Sequence, residues 1–282
     1  MSRDAVRVAA VQLNSQDDVD NNLAIIGDIL QRASDDGVRI AVLPENFALM
    51  PRRGRDKNAI AEDEGDGPIQ QFLADRAKSL GLWVVGGSLP LRSPDEQRVY
   101  GASVVIDDAG ATQAIYRKIH LFDVDLGSSG ESYRESHSMF PGDEPVCVDT
   151  PAGRLGLTIC YDLRFPELFR RLLDNGAQWF TVPAAFTQTT GAAHWHVLLR
   201  ARAVENLAWV VAPGQTGLHP DGRSTYGHSL ICDPWGQVLV ESDELNGFVA
   251  ADLNSEAQET LRREFPALTN RRLAEHTFKD TE

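Results

Sequence analysis

The chain has 282 residues, 42% hydrophobic and 24% charged, a composition that excludes a disordered or membrane-embedded protein and suffices for one large α/β domain. Its 27 Lys plus Arg against 41 Asp plus Glu leave a formal charge of -14, so nucleic-acid phosphates and anionic lipid are repelled over most of the surface, and an acidic ligand needs a local cluster of Arg or Lys. Cys147, Cys160 and Cys232 form no CxxC pair, which argues against a disulfide framework or a four-ligand zinc site and fits a reducing, cytoplasmic compartment. No membrane span and no signal peptide are expected, because the N-terminus runs straight into a strand pattern and no apolar stretch reaches about 18 residues.

Residues 6–13 read as an apolar strand; Leu23, Ile26, Ile29, Leu30 and Ala33 then recur on one helical face up to Gly37, and 38–43 is again a strand. Near-continuous apolar strands in a β-α-β opening require a sheet covered by helices. A helix is expected over 69–80 with Gly81 closing it, then a strand at 82–85 ending in Gly86-Gly87, and a hairpin of 99–106 and 111–116 across Asp107-Asp108-Ala109-Gly110. Residues 123–138 are polar and read as loop. Strands follow at 146–149 and 155–159, a helix starting at Pro166, a strand at 178–182 and a helix at 192–206. The C-terminal third reads as strands at 208–212, 226–232 and 237–241, the turn Asp233-Pro234-Trp235-Gly236, a strand at 248–253 and a helix from Ser255. No repeat, linker or composition break interrupts the chain, so one domain over 1–282, with its core at about 5–272, is expected. About a dozen strands with helices between them imply a two-sheet core flanked by helices.

Three strand ends carry candidate chemistry. Cys160 stands where a buried strand ends and a helix soon begins, a place whose backbone N–H groups favour an anion; its position alone is also consistent with a buried structural thiol. Glu45, in Leu43-Pro44-Glu45-Asn46-Phe47, follows the strand at 38–43, and Lys118, in Tyr116-Arg117-Lys118-Ile119-His120, follows the strand at 111–116. Each alone is consistent with a solvated loop residue. Together a carboxylate, an ammonium and a thiol supply base, electrostatic clamp and nucleophile.

These three segments resemble the Glu-Lys-Cys signature of the nitrilase superfamily, the carbon-nitrogen hydrolases. The likeness runs from about Val6 to Arg272 and is strongest in Leu157-Thr158-Ile159-Cys160-Tyr161-Asp162-Leu163-Arg164-Phe165-Pro166-Glu167-Leu168. It implies a four-layer α-β-β-α sandwich of two mixed six-stranded sheets flanked by helices. It also implies a homodimer or larger homo-oligomer pairing through 166–174 and 192–206, and a second glutamate that orients the site, for which Glu135 fits better than Glu131. The implied chemistry is amide hydrolysis without a cofactor: Glu45 as base, Cys160 as nucleophile, and Lys118 with the Tyr161 backbone N–H steadying an oxyanion while ammonia leaves. An enclosed site is expected to raise the Glu45 pKa toward that of the thiol.

The segments around His194-Trp195, Arg200-Ala201-Arg202, Tyr226-Gly227-His228 and Asp233-Pro234-Trp235-Gly236 resemble the deaminated-glutathione amidase branch, with the ω-amidases, which act on 2-oxoglutaramate, beside it. Other nitrilase-superfamily amidases or carbamoylases, and a silent nitrilase-fold binding protein, stay open. A carboxylated substrate calls for a cation near Cys160, with Arg164 as candidate; Phe186 and Thr187 take the place of a substrate-facing loop, or pack as plain loop. The stretch Asp125-Leu126-Gly127-Ser128-Ser129-Gly130-Glu131 departs from the Pro-Gly-containing loop of those branches.

No metal site is expected, since His194 and His196 diverge on a helix and no carboxylate stands at ligand spacing to them or to His228. Arg52, Arg53, Arg55 and Lys57, balanced by Glu62, Asp63, Glu64 and Asp66, read as a solvated loop. Gly86-Gly87 lacks a dinucleotide spacing, so no nucleotide cofactor is expected.

Overall fold

The computed structural model describes residues 5–127 and 131–273. Two six-stranded sheets form its centre. In spatial order the first runs Gly247–Asn254, Ala5–Gln12, Ile40–Val42, Trp83–Arg92, Val99–Ile106 and Thr112–Arg117. The second runs Val238–Glu241, Leu230–Cys232, Trp209–Ala212, Trp179–Thr181, Gly153–Leu157 and Cys147–Thr150. Each sheet holds three adjacent parallel strands, joined through helices, and completes itself with antiparallel neighbours.

Alternation along the strands makes the layers. In Ala5–Gln12, Val8 and Ala10 join the core shared with Leu157, Val211 and Ile231 of the other sheet, whereas Ala9 and Val11 face the helices α1 (Val19–Asp35) and α2 (Pro68–Leu80). Helix α1 is capped by Asp18, which accepts from the Asn21 N–H at 3.0 Å, and buries Ile26, Ile29, Leu30 and Ala33 at helical spacing. Pro68 starts α2 and left-handed Gly81 ends it. On the far side α3 (Pro166–Asp174) and α4 (Gln188–Asn206) press Leu168, Phe169, Leu172, Trp195 and Leu199 onto the second sheet. The result is the α-β-β-α sandwich; truncating one of these buried leucines costs about 2–5 kcal/mol.

Four local readings need correction. The strand expected to end at Gly86-Gly87 continues to Arg92 with a bulge between Gly86 and Leu89; a Cβ on Gly87 would strike the carbonyl oxygens of Leu43 and Pro44, so the glycine lets the backbone leading to Glu45 lie close. The polar stretch after Phe122 is a hairpin, Asp123–Leu126 against Glu131–Arg134; Val124 and Leu126 alternate with exposed aspartates and Val124 pairs with Tyr133, but strands of four residues give a period-two pattern too short to stand out. Ser128, Ser129 and Gly130 of the atypical stretch lie outside the described residues. Residues 226–232 are not one strand: Ser224–Tyr226 pairs with Thr216–Leu218, and the chain breaks at Gly227 and His228, both at positive φ (72° and 54°), before Leu230–Cys232. Helix α4 begins earlier than expected, at Gln188, because the Thr187 side chain caps it by accepting from the Thr190 N–H.

Candidate active site

The four residues of the implied site come from different loops and meet at one end of the sandwich. Glu45 lies just beyond Ile40–Val42, Lys118 just beyond Thr112–Arg117, Glu135 opens a short 3-10 turn after the hairpin, and Cys160 starts the 3-10 turn Cys160–Arg164. Lys118 Nζ donates to Glu45 Oε1 at 2.8 Å and to both Glu135 oxygens at 2.9 Å. Glu45 Oε2 accepts from the Ala185 N–H at 2.9 Å, and its own carbonyl accepts from the Gln215 side chain at 3.0 Å. Glu135 is fixed further by the Phe122 N–H at 2.7 Å.

Cys160 has φ of 49°, a left-handed conformation that costs a non-glycine residue about 1–3 kcal/mol. The strain is held by the Cys160 N–H, which donates to the Pro183 carbonyl at 2.8 Å, and by Asp162 beneath it. Fully buried Asp162 accepts from the Ile159 N–H at 2.8 Å, from the Tyr116 hydroxyl at 2.7 Å and from the His120 N–H at 3.1 Å, and its Oδ1 lies 2.7 Å from His120 Nδ1. One carboxylate thus ties the turn of Cys160 to the segment carrying Lys118. Its anchoring role was not read from the sequence, because Tyr116 and His120 lie 46 and 42 residues away.

Burial by itself would raise the Glu45 carboxyl, but the charge and hydrogen bond of Lys118, the contact with Cys160 and the charge of Lys57 outweigh it and hold Glu45 below its usual value. The expectation of a raised glutamate is therefore overturned: ion pairing wins over desolvation. Burial would likewise lower Lys118, yet Glu135, Glu45 and Cys160 hold it well above the ordinary lysine range. For Cys160 burial and the negative charge of Glu45 act together and, despite Lys118, push the thiol well above its usual value. The resting cluster is a carboxylate, an ammonium and an un-ionised thiol.

These groups face a cavity of about 200 Å³. Tyr161, Arg164, Phe186 and Thr187 line it, as do Phe122, Tyr133, Lys57 and Arg223, which the sequence reading left out of the site. The Arg164 guanidinium lies 5.8 Å from the Tyr161 ring centre and 5.4 Å from that of Phe186, with His194 Nδ1 at 3.2 Å from its Nη1. Thr187 both lines the cavity and spends its hydroxyl on α4, 2.9 Å from that of Thr190. Of the basic run taken as solvated, Arg52 and Arg53 are exposed, but the 3-10 turn Gly54–Ile60 turns Lys57 inward, 8% exposed. A run of like charges gives no sign of which member faces in.

A second convergence stands elsewhere. His196, His228 and Glu241 bring ligand atoms within 4.8 Å of one another, which corrects the reading that no carboxylate stands near these histidines. The Glu241 carboxylate is shared by His196 Nε2 at 3.0 Å and His228 Nδ1 at 2.5 Å. Among the described residues no helix is long and apolar enough to cross a membrane.

The chain is 39% identical over 268 residues to the deaminated glutathione amidase of Yersinia enterocolitica, covering 94% of this chain and 92% of that one. It is similar in structure to the C. elegans NitFhit protein, with a TM-score of 0.89 and 36% identity over 96% of this chain and 66% of that longer one. A variant of the amidase from Nesterenkonia sp. AN1, with covalent addition of the acetamide moiety of fluoroacetamide at its active site cysteine, matches with a TM-score of 0.79 and 26% identity, covering 94% of this chain and 98% of that chain. The carbon-nitrogen hydrolase family model matches residues 7–263, so the chain belongs to that family and is a hydrolase of carbon–nitrogen bonds other than peptide bonds.

Proposed function

We propose that the protein, a single catalytic domain over 1–282 working in the cytoplasm, hydrolyses a small carboxylated amide through a thioester on Cys160, with deaminated glutathione as substrate. The observation that carries the reading is the sharing of one cavity by Cys160, Glu45 and Lys118. Because the thiol rests protonated, its deprotonation is coupled to attack. Glu45 takes the proton as sulfur bonds to the amide carbon, and the carbonyl electrons move to oxygen, facing Lys118 and the Tyr161 N–H. Glu45 then protonates the departing nitrogen and the C–N bond breaks. Water adds to the thioester, giving its proton to Glu45, and the C–S bond breaks as the thiol recovers that proton. Glu135 keeps Lys118 charged and aimed. Every step uses groups of the chain, so the scheme calls for no cofactor.

The substrate is supported by the name of the Yersinia enterocolitica relative and by the cations on the cavity wall, local exceptions to a chain of charge -14. A cavity of about 200 Å³ suits the 2-oxoglutaryl half, with the rest of the molecule toward the opening. From deaminated glutathione the departing group is the cysteinylglycine amine; ammonia departs from an unsubstituted amide such as 2-oxoglutaramate. Both release 2-oxoglutarate, so measuring it alongside ammonia separates them. A higher kcat/KM on deaminated glutathione is expected. Preference for 2-oxoglutaramate would make the protein an ω-amidase, and turnover of nitriles or ureido acids alone would move it to another branch. Silence throughout, with Cys160 no more reactive to iodoacetamide than Cys147 or Cys232, would leave a binding protein. Val197 and Val204, exposed on α4, support pairing of two copies through α3 and α4, which sedimentation tests.

A further inference from the structure

Two lysines lie on the same cavity in opposite circumstances. Lys118 donates to two carboxylates. Lys57 is 8% exposed, and its Nζ meets the Met139 sulfur at 3.9 Å; among the described residues no carboxylate or carbonyl oxygen accepts from it. Thioether sulfur is a weak acceptor, so the ammonium is desolvated without the partner that a buried charge requires. Arg223 stands close enough for its charge to be felt at Lys57, is held by Asp221 at 3.4 Å and the Met50 sulfur at 3.2 Å, and has a buried Nε with no acceptor. Arg164 differs from both, its guanidinium lying over two rings and beside His194. Burial lowers the Lys57 pKa against the opposing charges of Glu135 and Glu45, and among the described residues neither Lys57 Nζ nor Arg223 Nε has an oxygen acceptor, so this wall carries cationic donors that the protein leaves unbonded.

We propose that Lys57, backed by the charge of Arg223, is the subsite for the carboxylate of the substrate, the 2-oxo-acid end of a short dicarboxylic monoamide whose amide carbonyl lies at Cys160. The assignment rests on the amidase reading of Cys160, and it replaces Arg164 as the anchor. A bound carboxylate gives the ammonium the charged acceptor it lacks and selects acids over neutral amides in spite of the acidic surface. The Met139 sulfur, a weak acceptor, leaves the ammonium's donors available to the ligand.

Binding to the Cys160→Ala protein tests the subsite without turnover. Calorimetric titration with 2-oxoglutarate and with 4-oxopentanoate, which has a methyl group in place of the C1 carboxylate, should show preference for the first. Adding Lys57→Met should reduce the ratio of the two affinities by roughly 10- to 100-fold, the range for a hydrogen bond to a charged group. An unaltered ratio overturns the subsite. In the active enzyme the ratio of kcat/KM for 2-oxoglutaramate over 4-oxopentanamide should fall by a similar factor, mainly through KM. Lys57-dependent binding with neither amide hydrolysed retains the subsite and removes the amidase reading; hydrolysis with Lys57-independent binding does the reverse. A structural lysine would instead lower Tm and weaken both ligands alike, whereas replacing this one should hold or raise Tm because an unpaired buried charge is lost. Should Lys57→Met not fold, Lys57→Arg, expected to keep the ratio within a few-fold, and Arg223→Gln, expected to lower it by about 3- to 10-fold, decide the matter.

Discussion

Glu45 and Glu241 each gather two titratable partners, one inside the molecule and one at its surface. Glu45, 5% exposed, holds Lys118 at 2.8 Å and stands against Cys160; Glu241, exposed, holds His196 at 3.0 Å and His228 at 2.5 Å. Both carboxyls sit below their usual value, burial opposing and the partners prevailing in each. The convergence is alike, but water screens the second cluster and leaves the first at full strength. The first also lines a cavity together with Cys160, and proximity of acid and base groups makes a site where desolvation and room for a substrate accompany it.

The sharpest way to break this contrast is Cys160→Ala, which should lower kcat by about 10⁴-fold or more with near-ultraviolet dichroism unaltered. Activity within tenfold of the parent would remove the nucleophile from the scheme. Glu45→Gln should cost about 10²–10⁴-fold in kcat. Because the folded Glu45 pKa is depressed, its ion pair adds stability above the unfolded carboxyl value that is lost as pH falls through the folded one, and the base is protonated over the same fall. The parent's acid limb in kcat/KM, which reports the free enzyme, should therefore lie below the ordinary glutamate range; a limb above it would show that burial, not Lys118, governs this carboxyl. Glu135→Gln should lower kcat by about 10- to 100-fold with little change in KM, since it weakens the hold on Lys118 and touches no reacting atom. His196→Ala should leave kcat within about twofold and cost less than about 1 kcal/mol. The folded Glu241 pKa is also depressed, so the parent's small advantage should be present above the unfolded carboxyl value and fade in acid, as Tm across pH reads out. A tenfold loss of activity in His196→Ala would mean that the surface cluster acts on the cavity.

The apolar periodicity of α1 and the Pro68 and Gly81 boundaries of α2 were legible because each is set by residues within one or two turns. The hairpin after Phe122 was not, since each strand is four residues long and its alternation of Val124 and Leu126 with aspartates is too short to separate from loop. The assembly of Glu45, Lys118, Glu135 and Cys160 came from the family resemblance; spacing by itself left each as a loop residue or a buried thiol. Lys57 was misread because a short 3-10 turn, and not composition, decides which side chain of a basic run points inward.

By itself the sequence determined the acidic surface, the alternation that divides two cores across one strand, and the helices whose faces match a sheet, all properties carried by neighbours along the chain. Tertiary structure alone decided that Lys118 overrides burial at Glu45, that Asp162 ties the Cys160 turn to the Lys118 segment, and that Lys57 has no oxygen partner among the described residues. Desolvation and Coulomb energies depend on distances between groups brought together by sheet register, and local sequence does not encode those distances.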